Sequence, residues 1–501
     1  MNHIKQLYGH SLALLTDLYQ LTMAYGYWKM GKLNQEAVFT LFFRKPPFHS
    51  GYSIMAGLAT VLDYLDGLGF TETDLSFLAT LTGTDNKPLF ESDFIDYLGK
   101  LRFDCNLDAI PEGTVVFPHE PLLRVQGPLL QCQLLETTLI NIINFQTLIA
   151  TKAARICQTT QGEPVLELGL RRAQGIDGAL SASRAAYIGG CAATSNVLAG
   201  KLYGIPVRGT HAHSWVMSFA NETEAFQTYA EAMPNNCILL VDTFDTLQGV
   251  KKAIAVGQWL RDNGHQLVGI RLDSGDLVKL SQQARKMLDD AGFEQAHIVA
   301  SNDLDEHLIA ELKAAGAKVN LWGVGTRLIT SYDQPTLGGV YKLTAIRDEP
   351  GAQWQYCLKL SEESIKISNP GLLQVRRFLD DQGMFNGDMI YDQLQPPTNN
   401  EVHLVNLNAF SVHPALIEGH TILSTDIPYQ DLLIPVWKNG KPVVELPSLD
   451  QIRQRTQAQL NHCPVEIQRL NTPAIYPVNL EIQLYQLKQR LISEARHVKN
   501  S

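Results

Sequence analysis

The sequence has no C-x-x-C pair, although it contains Cys105, Cys132, Cys157, Cys191, Cys237, Cys357 and Cys463. An odd number of cysteines at irregular spacing excludes a disulfide frame and a thiolate zinc site; these read as buried, reduced thiols. Uninterrupted apolar runs are missing too. The most apolar long segment, PLLQCQLLETTLINIINFQTLIATKAARI (128–156), carries Gln, Glu and Asn throughout. It is too polar to span a membrane and suits a long buried helix. The short apolar run near the N-terminus is interrupted by Asp17, with no small-residue cleavage pattern after it, so a soluble, cytoplasmic protein is expected. Basic residues are outnumbered, 41 Lys and Arg against 51 Asp and Glu, and they are scattered. That argues against nucleic acid as a partner, so an anionic ligand would need a local basic pocket. No strand-like run leads into G-x-G-x-x-G with a later acidic residue, which excludes the dinucleotide-binding fingerprint.

What is present is a long chain, 501 residues and 45% hydrophobic, enough for one large domain and a second. Residues 1–128 mix helical stretches (TDLYQLTMAYGYWKMG) with extended ones (AVFTLFFRK, GTVVFPHEPLLRVQGP), as in an α+β unit. From about residue 160 short apolar runs recur, each followed by a helical segment: VLELG, PVRGTHA, CILLVDT, LVGIRLDS, IVASND, VNLWGVGT. Their spacing is that of βα units with a parallel sheet, and so many in a row favour a (β/α) barrel over 129–335. Strand-like runs (GGVYKLTAI, WQYCLKL) resume over 336–430, and 431–501 reads as a helical tail.

In a barrel the C-terminal strand ends share one face. Here they carry Arg171 and Arg172; Thr210 and His213; Asp242 and Thr243; Arg271, Asp273 and Ser274; Ser301 and Asn302; Gly323, Gly325 and Thr326. Two ends resemble phosphate cradles: DSGDL, with Ser274 and Gly275, and WGVGTRL, each running from a strand into a helix. Asp242 and Asp273 can hold ribose hydroxyls or a magnesium ion, or simply cap the helices that follow. Arg271 shares a strand face with Asp273 and can form an internal ion pair or bind a carboxylate. The H-x-H of VRGTHAHSWV (207–216) would suit a metal barrel. The other histidines of this half (His265, His297, His307) fall where they cannot reach the same face, so that reading lacks ligands. Two ordinary surface histidines, or a phosphoryl acceptor, remain. In an extended strand His211 and His213 share a face, so spacing does not separate them. No isolated strand-end Glu or Lys stands out as an acid or base.

The motifs LLTDLYQLTMAYGYW, ELGLRRAQGIDGALSASRAAYIGG, GTHAHSW, LLVDTFDT, IRLDSGDL and WGVGTRL…TLGGVYKL, in order from about residue 11 to 380, closely resemble the nicotinate phosphoribosyltransferase family. The resemblance implies a type II phosphoribosyltransferase fold: an irregular (β/α) barrel packed against an α/β sandwich built from N-terminal and post-barrel segments. It implies that nicotinate and 5-phosphoribosyl 1-diphosphate give nicotinate mononucleotide and diphosphate, with ATP as co-substrate and Mg2+ as cofactor. This is the entry of nicotinate into NAD synthesis. Carried onto this chain, the phosphorylated histidine is His213, with Asp242 and Asp273 as catalytic carboxylates. Tyr19 stacks on the pyridine ring from the second subunit of a homodimer. Arg171, Thr210 and Arg271 lie at nicotinate. Ser274, Gly275, Gly323, Gly325 and Thr326 lie at the sugar diphosphate, with Arg44 reaching phosphates across the dimer. His211 departs from the family, standing where an apolar residue is expected.

A nicotinamide phosphoribosyltransferase is the nearest alternative. It would favour an acidic residue beside the amide, and 208–216 holds no carboxylate. A quinolinate-using relative should show a denser basic cluster. A non-catalytic binding protein on the same fold is disfavoured because every position expected to carry chemistry is filled.

Overall fold

Strand Glu36–Phe43 is buried along all but its first residue, as its near-continuous apolar run requires when both faces of a sheet are covered. It pairs antiparallel with Leu123–Pro128 on one side and with Gly339–Arg347 on the other. Segments far apart in sequence therefore build one sheet. The computed structural model describes residues 7–9, 11–363, 366–397, 401–407, 420–424 and 427–498. These fall into two units, residues 1–148 with 336–501, and residues 149–335.

The first unit contains this seven-stranded sheet and a mixed six-stranded one in which Val478–Glu481 pairs parallel with Phe385–Asp392. The stretch expected to be a helical tail does hold helices Leu449–His462 and Ile482–Val498. It also gives strand Ile434–Lys438 to the first sheet and Val478–Glu481 to the second. Such short strands leave no alternation long enough to read. Helix Leu18–Lys29 is clamped by Gln20, which is fully buried. Its Nε2 donates to the Gln133 carbonyl at 2.8 Å, and Gln133 Nε2 donates back to the Gln20 carbonyl at 2.8 Å.

The second unit is built on six strands, numbered here β1 (Val165–Glu167), β2 (Ala193–Thr194), β3 (Ile238–Leu240), β4 (Gly269–Leu272), β5 (His297–Ala300) and β6 (Leu321–Val324). Their order is β2-β1-β6-β5-β4-β3, and every neighbouring pair is parallel. Helices Thr246–Asp262, Leu277–Asp290 and Glu306–Ala314 return the chain from one strand to the next. The PVRGTHA run does not form a full strand. Only Val207 makes a bridge, to Thr194. Pro206 has no N–H for a ladder, which shortens the pairing there.

Candidate active site

Two aspartates expected either to cap helices or to face a ligand are separated by the structure. The caps are three residues further on. Asp245 accepts the Gln248 N–H at 2.8 Å, and Asp276 accepts the Lys279 N–H at 3.1 Å. Asp242 and Asp273 stand free of that duty. Asp242, 9% exposed, takes the Asp273 N–H and the Ser274 hydroxyl on Oδ2, both at 2.7 Å. It thereby ties the segment after β3 to the turn after β4. Its other oxygen, Oδ1, is buried with no hydrogen-bond partner. Asp273 accepts the Ser301 hydroxyl from the end of β5.

Arg271, on β4, donates from Nη1 to the Thr210 hydroxyl oxygen at 2.6 Å. The Thr210 hydroxyl in turn donates to the His211 carbonyl at 3.2 Å. The Arg271 Nε is buried and has no acceptor. Burial pushes the Arg271 pKa below its ordinary value; Asp273 and Asp242 oppose the shift and Arg171 adds to it. Arg171 itself is exposed, in the short turn Leu170–Arg172 after β1.

The two histidines, indistinguishable by spacing, have different surroundings. His213 opens the short helix His213–Met217, its side chain 38% exposed, with Nδ1 3.1 Å from Thr243 Oγ1 and Nε2 3.7 Å from Asp273 Oδ2. His211 is only 8% exposed. Its Nε2 accepts the Leu240 N–H at 3.2 Å, its Nδ1 lies 3.3 Å from the Ala212 carbonyl, and its ring meets Tyr229 edge-on at 4.8 Å. Burial pushes its pKa down to about 4; the bond to Ala212 opposes this, and the charges of Arg271 and His213 add to it.

The glycine-bearing turns are placed as follows. Gly275 has φ +81°, the left-handed conformation that glycine adopts without strain. The Asp273 N–H and Ser274 hydroxyl of the same turn are already held by Asp242. At Gly323 a Cβ would come within 2.7 Å of the end of the Leu168 side chain, which would have to shift to admit it. Gly325 leads into the short helix Thr326–Ile329. Asn302 and Asp303, after β5, are consecutive non-glycine residues with positive φ (95° and 42°).

Sequence reasoning saw no strand-end glutamate, and here the structure corrects it. Glu167 ends β1 and is 1% exposed. Its carboxylate accepts from the Ser183 hydroxyl (2.8 Å), the Thr194 hydroxyl (2.6 Å) and the Gly169 N–H (2.5 Å). A carboxylate so engaged organises the strand ends. Its place in ELGLRR, at the end of the first apolar run, was the available signal.

Tyr19 and Arg44 belong to the first unit. Tyr19 is 48% exposed beside the exposed Leu15 and Leu18. Arg44 stacks over Phe42 at 5.7 Å, with its buried Nε lacking an acceptor. Next to Phe42, His119 has its pKa pushed down to about 4 by burial, with Lys488 and Arg44 contributing. Lys488 on the last helix, bonded to Asn369 Oδ1 at 2.8 Å, is pushed down to about 8 by burial.

Parallel strands ending in linked carboxylates, a buried arginine and a half-exposed histidine suit an enzyme of small molecules. Three family profiles match in succession: the nicotinate phosphoribosyltransferase N-terminal domain over 14–144, the nicotinate phosphoribosyltransferase family over 165–354, and the C-terminal domain over 373–488. The chain is 44% identical to the Bacillus subtilis nicotinate phosphoribosyltransferase, covering 97% of this chain and 96% of that one. It is 36% identical to the Homo sapiens nicotinate phosphoribosyltransferase, covering 95% and 96%. The crystal structure of human nicotinic acid phosphoribosyltransferase superposes with a TM-score of 0.80 at 33% identity, covering 95% of this chain and all (100%) of that one. A Pyrococcus furiosus nicotinate-nucleotide pyrophosphorylase structure shares the fold, with TM-score 0.64 at 22% identity over 90% of this chain and 95% of that one. The chain belongs to the nicotinate phosphoribosyltransferase family. Among the described residues no helix is long and apolar enough to cross a membrane.

The depressed histidines fix the sign of an acid effect. The unfolded chain takes up protons as pH falls below about 6.5, while folded His211 and His119 stay neutral down to about 4. Stability is therefore fully present above the unfolded value and is lost as pH falls from there to the folded one. The slope is at most about 1.4 kcal/mol per pH unit for each histidine. In urea unfolding between about pH 7 and 4.5, His211→Phe should remove one histidine's share of that slope. An unchanged slope would mean that His211 takes up its proton over the same pH range in the folded and the unfolded protein.

Proposed function

We propose that this chain is a nicotinate phosphoribosyltransferase, coupling nicotinate mononucleotide synthesis to ATP hydrolysis through a phosphohistidine at His213. The observation that carries the reading is Arg271, buried beside Thr210 with its Nε unsatisfied. An anionic carboxylate on the ligand would complete it, and the near full-length likeness to nicotinate phosphoribosyltransferases names that ligand. In the reaction the pyridine nitrogen bonds to the anomeric carbon as the bond to the departing diphosphate breaks, through an oxocarbenium-like state. A pyridine nitrogen already carries its lone pair, so no side chain need deprotonate it.

Arg271, Thr210 and Arg171 orient nicotinate. The turns containing Ser274 and Gly275, and Gly323, Gly325 and Thr326, face the sugar diphosphate. The family's Mg2+ fits the carboxylates: Asp242 Oδ1 is buried without a partner, and Asp273 lies in the same hydrogen-bonded group. No three-ligand cage occurs among the described residues, and magnesium shared with substrate phosphates needs only one or two carboxylates. When bound it neutralises charge on the diphosphate. The order β2-β1-β6-β5-β4-β3, with Val207 beside β2, is read as an irregular barrel. Two copies of the chain share sites, Tyr19 and Arg44 of one serving the other.

Arg271→Ala should raise the nicotinate KM by about ten- to a hundredfold, the worth of a charge-assisted hydrogen bond, with little change in the KM for phosphoribosyl diphosphate. An unaltered nicotinate KM would remove Arg271 from the pocket.

Shared sites make a second prediction. Tyr19→Ala and His213→Ala subunits, each impaired in ATP-stimulated turnover, should regain part of it when mixed as dimers, because one hybrid site is then intact. Verified hybrids with no recovery would count against sharing.

The third concerns phosphoryl transfer. With Nδ1–H donated to Thr243, His213 Nε2 presents a lone pair to the γ-phosphorus of ATP. The N–P bond forms as the bond to ADP breaks, and water later discharges the phosphoramidate. His213→Ala should lose acid-labile label from γ-labelled ATP and lose ATP stimulation, yet keep slow ATP-independent synthesis. His211→Ala should still be labelled; label surviving at 211 and not at 213 would reverse the roles.

A further inference from the structure

The parallel sheet of the second unit has a seam. The segment at Val207 borders β2, and β3 is the opposite edge of the sheet. These two are consecutive along the chain, yet no backbone-to-backbone bond joins residues 207–212 to β3 among the described residues. Side chains cross instead. Asn236 Nδ2 donates to the Gly209 carbonyl at 3.3 Å, and His211 Nε2 accepts the Leu240 N–H at 3.2 Å.

The second contact is unusual in kind. Leu240 ends β3 and is 0% exposed, so its edge N–H has no solvent to turn to. A neighbouring strand would offer it a carbonyl; here an imidazole takes that place. The Nδ1–H tautomer satisfies both ring nitrogens, one toward the Ala212 carbonyl and one toward Leu240. Tyr229 and Phe226 hold the ring at 4.8 and 6.2 Å. On either side of His211 in sequence stand Thr210, bonded to Arg271, and His213, bonded to Thr243.

We propose that His211 is a positioning residue that closes this seam, its imidazole replacing a strand carbonyl and thereby holding Thr210 on Arg271 and His213 on Thr243. An apolar residue at 211 could fill the volume but could not accept the N–H. The inference rests on the reading that the 210–213 turn works on the substrates.

The test compares His211→Phe, which keeps a ring without an acceptor, with His211→Gln, whose Oε1 can reach the same N–H. Both are assayed for nicotinate turnover at saturating ATP, well below their melting temperatures. His211→Phe should lose about ten- to a hundredfold in kcat, the scale of an ångström-sized misplacement, and His211→Gln should recover most of it. Turnover of His211→Phe at the wild-type level would overturn the proposal. So would equal impairment of the two variants, because volume and not the acceptor would then matter. If His211→Phe does not fold, 15N-labelled wild-type protein decides. Nε2 should show an acceptor's shift and Nδ1 a proton, both unchanged from about pH 8 to 5.5, and a ring that protonates near pH 6.5 would sink the idea. If γ-label never reaches His213 while the Phe and Gln variants still differ, the phosphohistidine reading falls and the seam role stands.

Discussion

The candidate site depends on one buried carboxylate. Asp242 holds the Asp273 N–H and the Ser274 hydroxyl on a single oxygen, and those two bonds set where the β4 turn lies relative to β3. Asp273, so placed, accepts from Ser301 on the next strand and lies 3.7 Å from the His213 imidazole. The chain of dependence runs from one anion through three strand ends. Burying a carboxylate is tolerated when its lone pairs are met, and an unmet one costs about 1–3 kcal/mol or more. Asp242 Oδ1 is unmet, and so is the Arg271 Nε on the strand beside it. On the proposed reading, a metal ion and a ligand anion would complete these two buried groups of opposite sign.

The histidine pair shows how little sequence distance says about chemical role. Residues 211 and 213 are of one type and one residue apart, and a strand would put them on one face. The chain instead turns into a short helix at His213, leaving that ring half-exposed, while His211 swings into contact with Tyr229 and Leu240. The buried ring has both nitrogens engaged and its pKa lowered; the exposed one keeps a nitrogen free of hydrogen bonds. A nucleophile needs a free lone pair more than it needs any particular neighbour.

The parallel strands were legible because each is a short apolar run followed by a helix, and because polar residues collect where the runs end. The order of those runs led directly to Asp242, Arg271, Asp273 and His213 as a group; Asp242 bonds to the Asp273 N–H and His213 lies 3.7 Å from Asp273, whereas the bond from Arg271 goes to Thr210. Less legible were features that depend on partners distant in sequence. Nothing in DTFDT says that Asp245 is the cap and Asp242 is not. That depends on which carboxylate meets the Gln248 N–H, three residues past Asp245. Glu167 looked like part of a strand because its three donors come from residues 169, 183 and 194. The late strands of the first unit are too short to show alternation, and Pro206 broke a run that composition alone would make a strand.

The same geometry bears on the choice between an acid and an amide. Around the ring substituent's expected place, Arg271 offers only donors, since a guanidinium has no acceptor. Thr210 gives its proton to the His211 carbonyl and accepts from Arg271. A carboxylate would accept a charge-assisted bond from the guanidinium, which a neutral amide cannot match. Burial lowers the Arg271 pKa, and Asp273 and Asp242 oppose the shift. A guanidinium stays charged in a protein all the same. What the desolvation changes is the strength of its pairing: a cation held away from water gains more from an anionic partner than from a neutral one. On the proposed reading, preference for an acid then follows from the charge of the arginine.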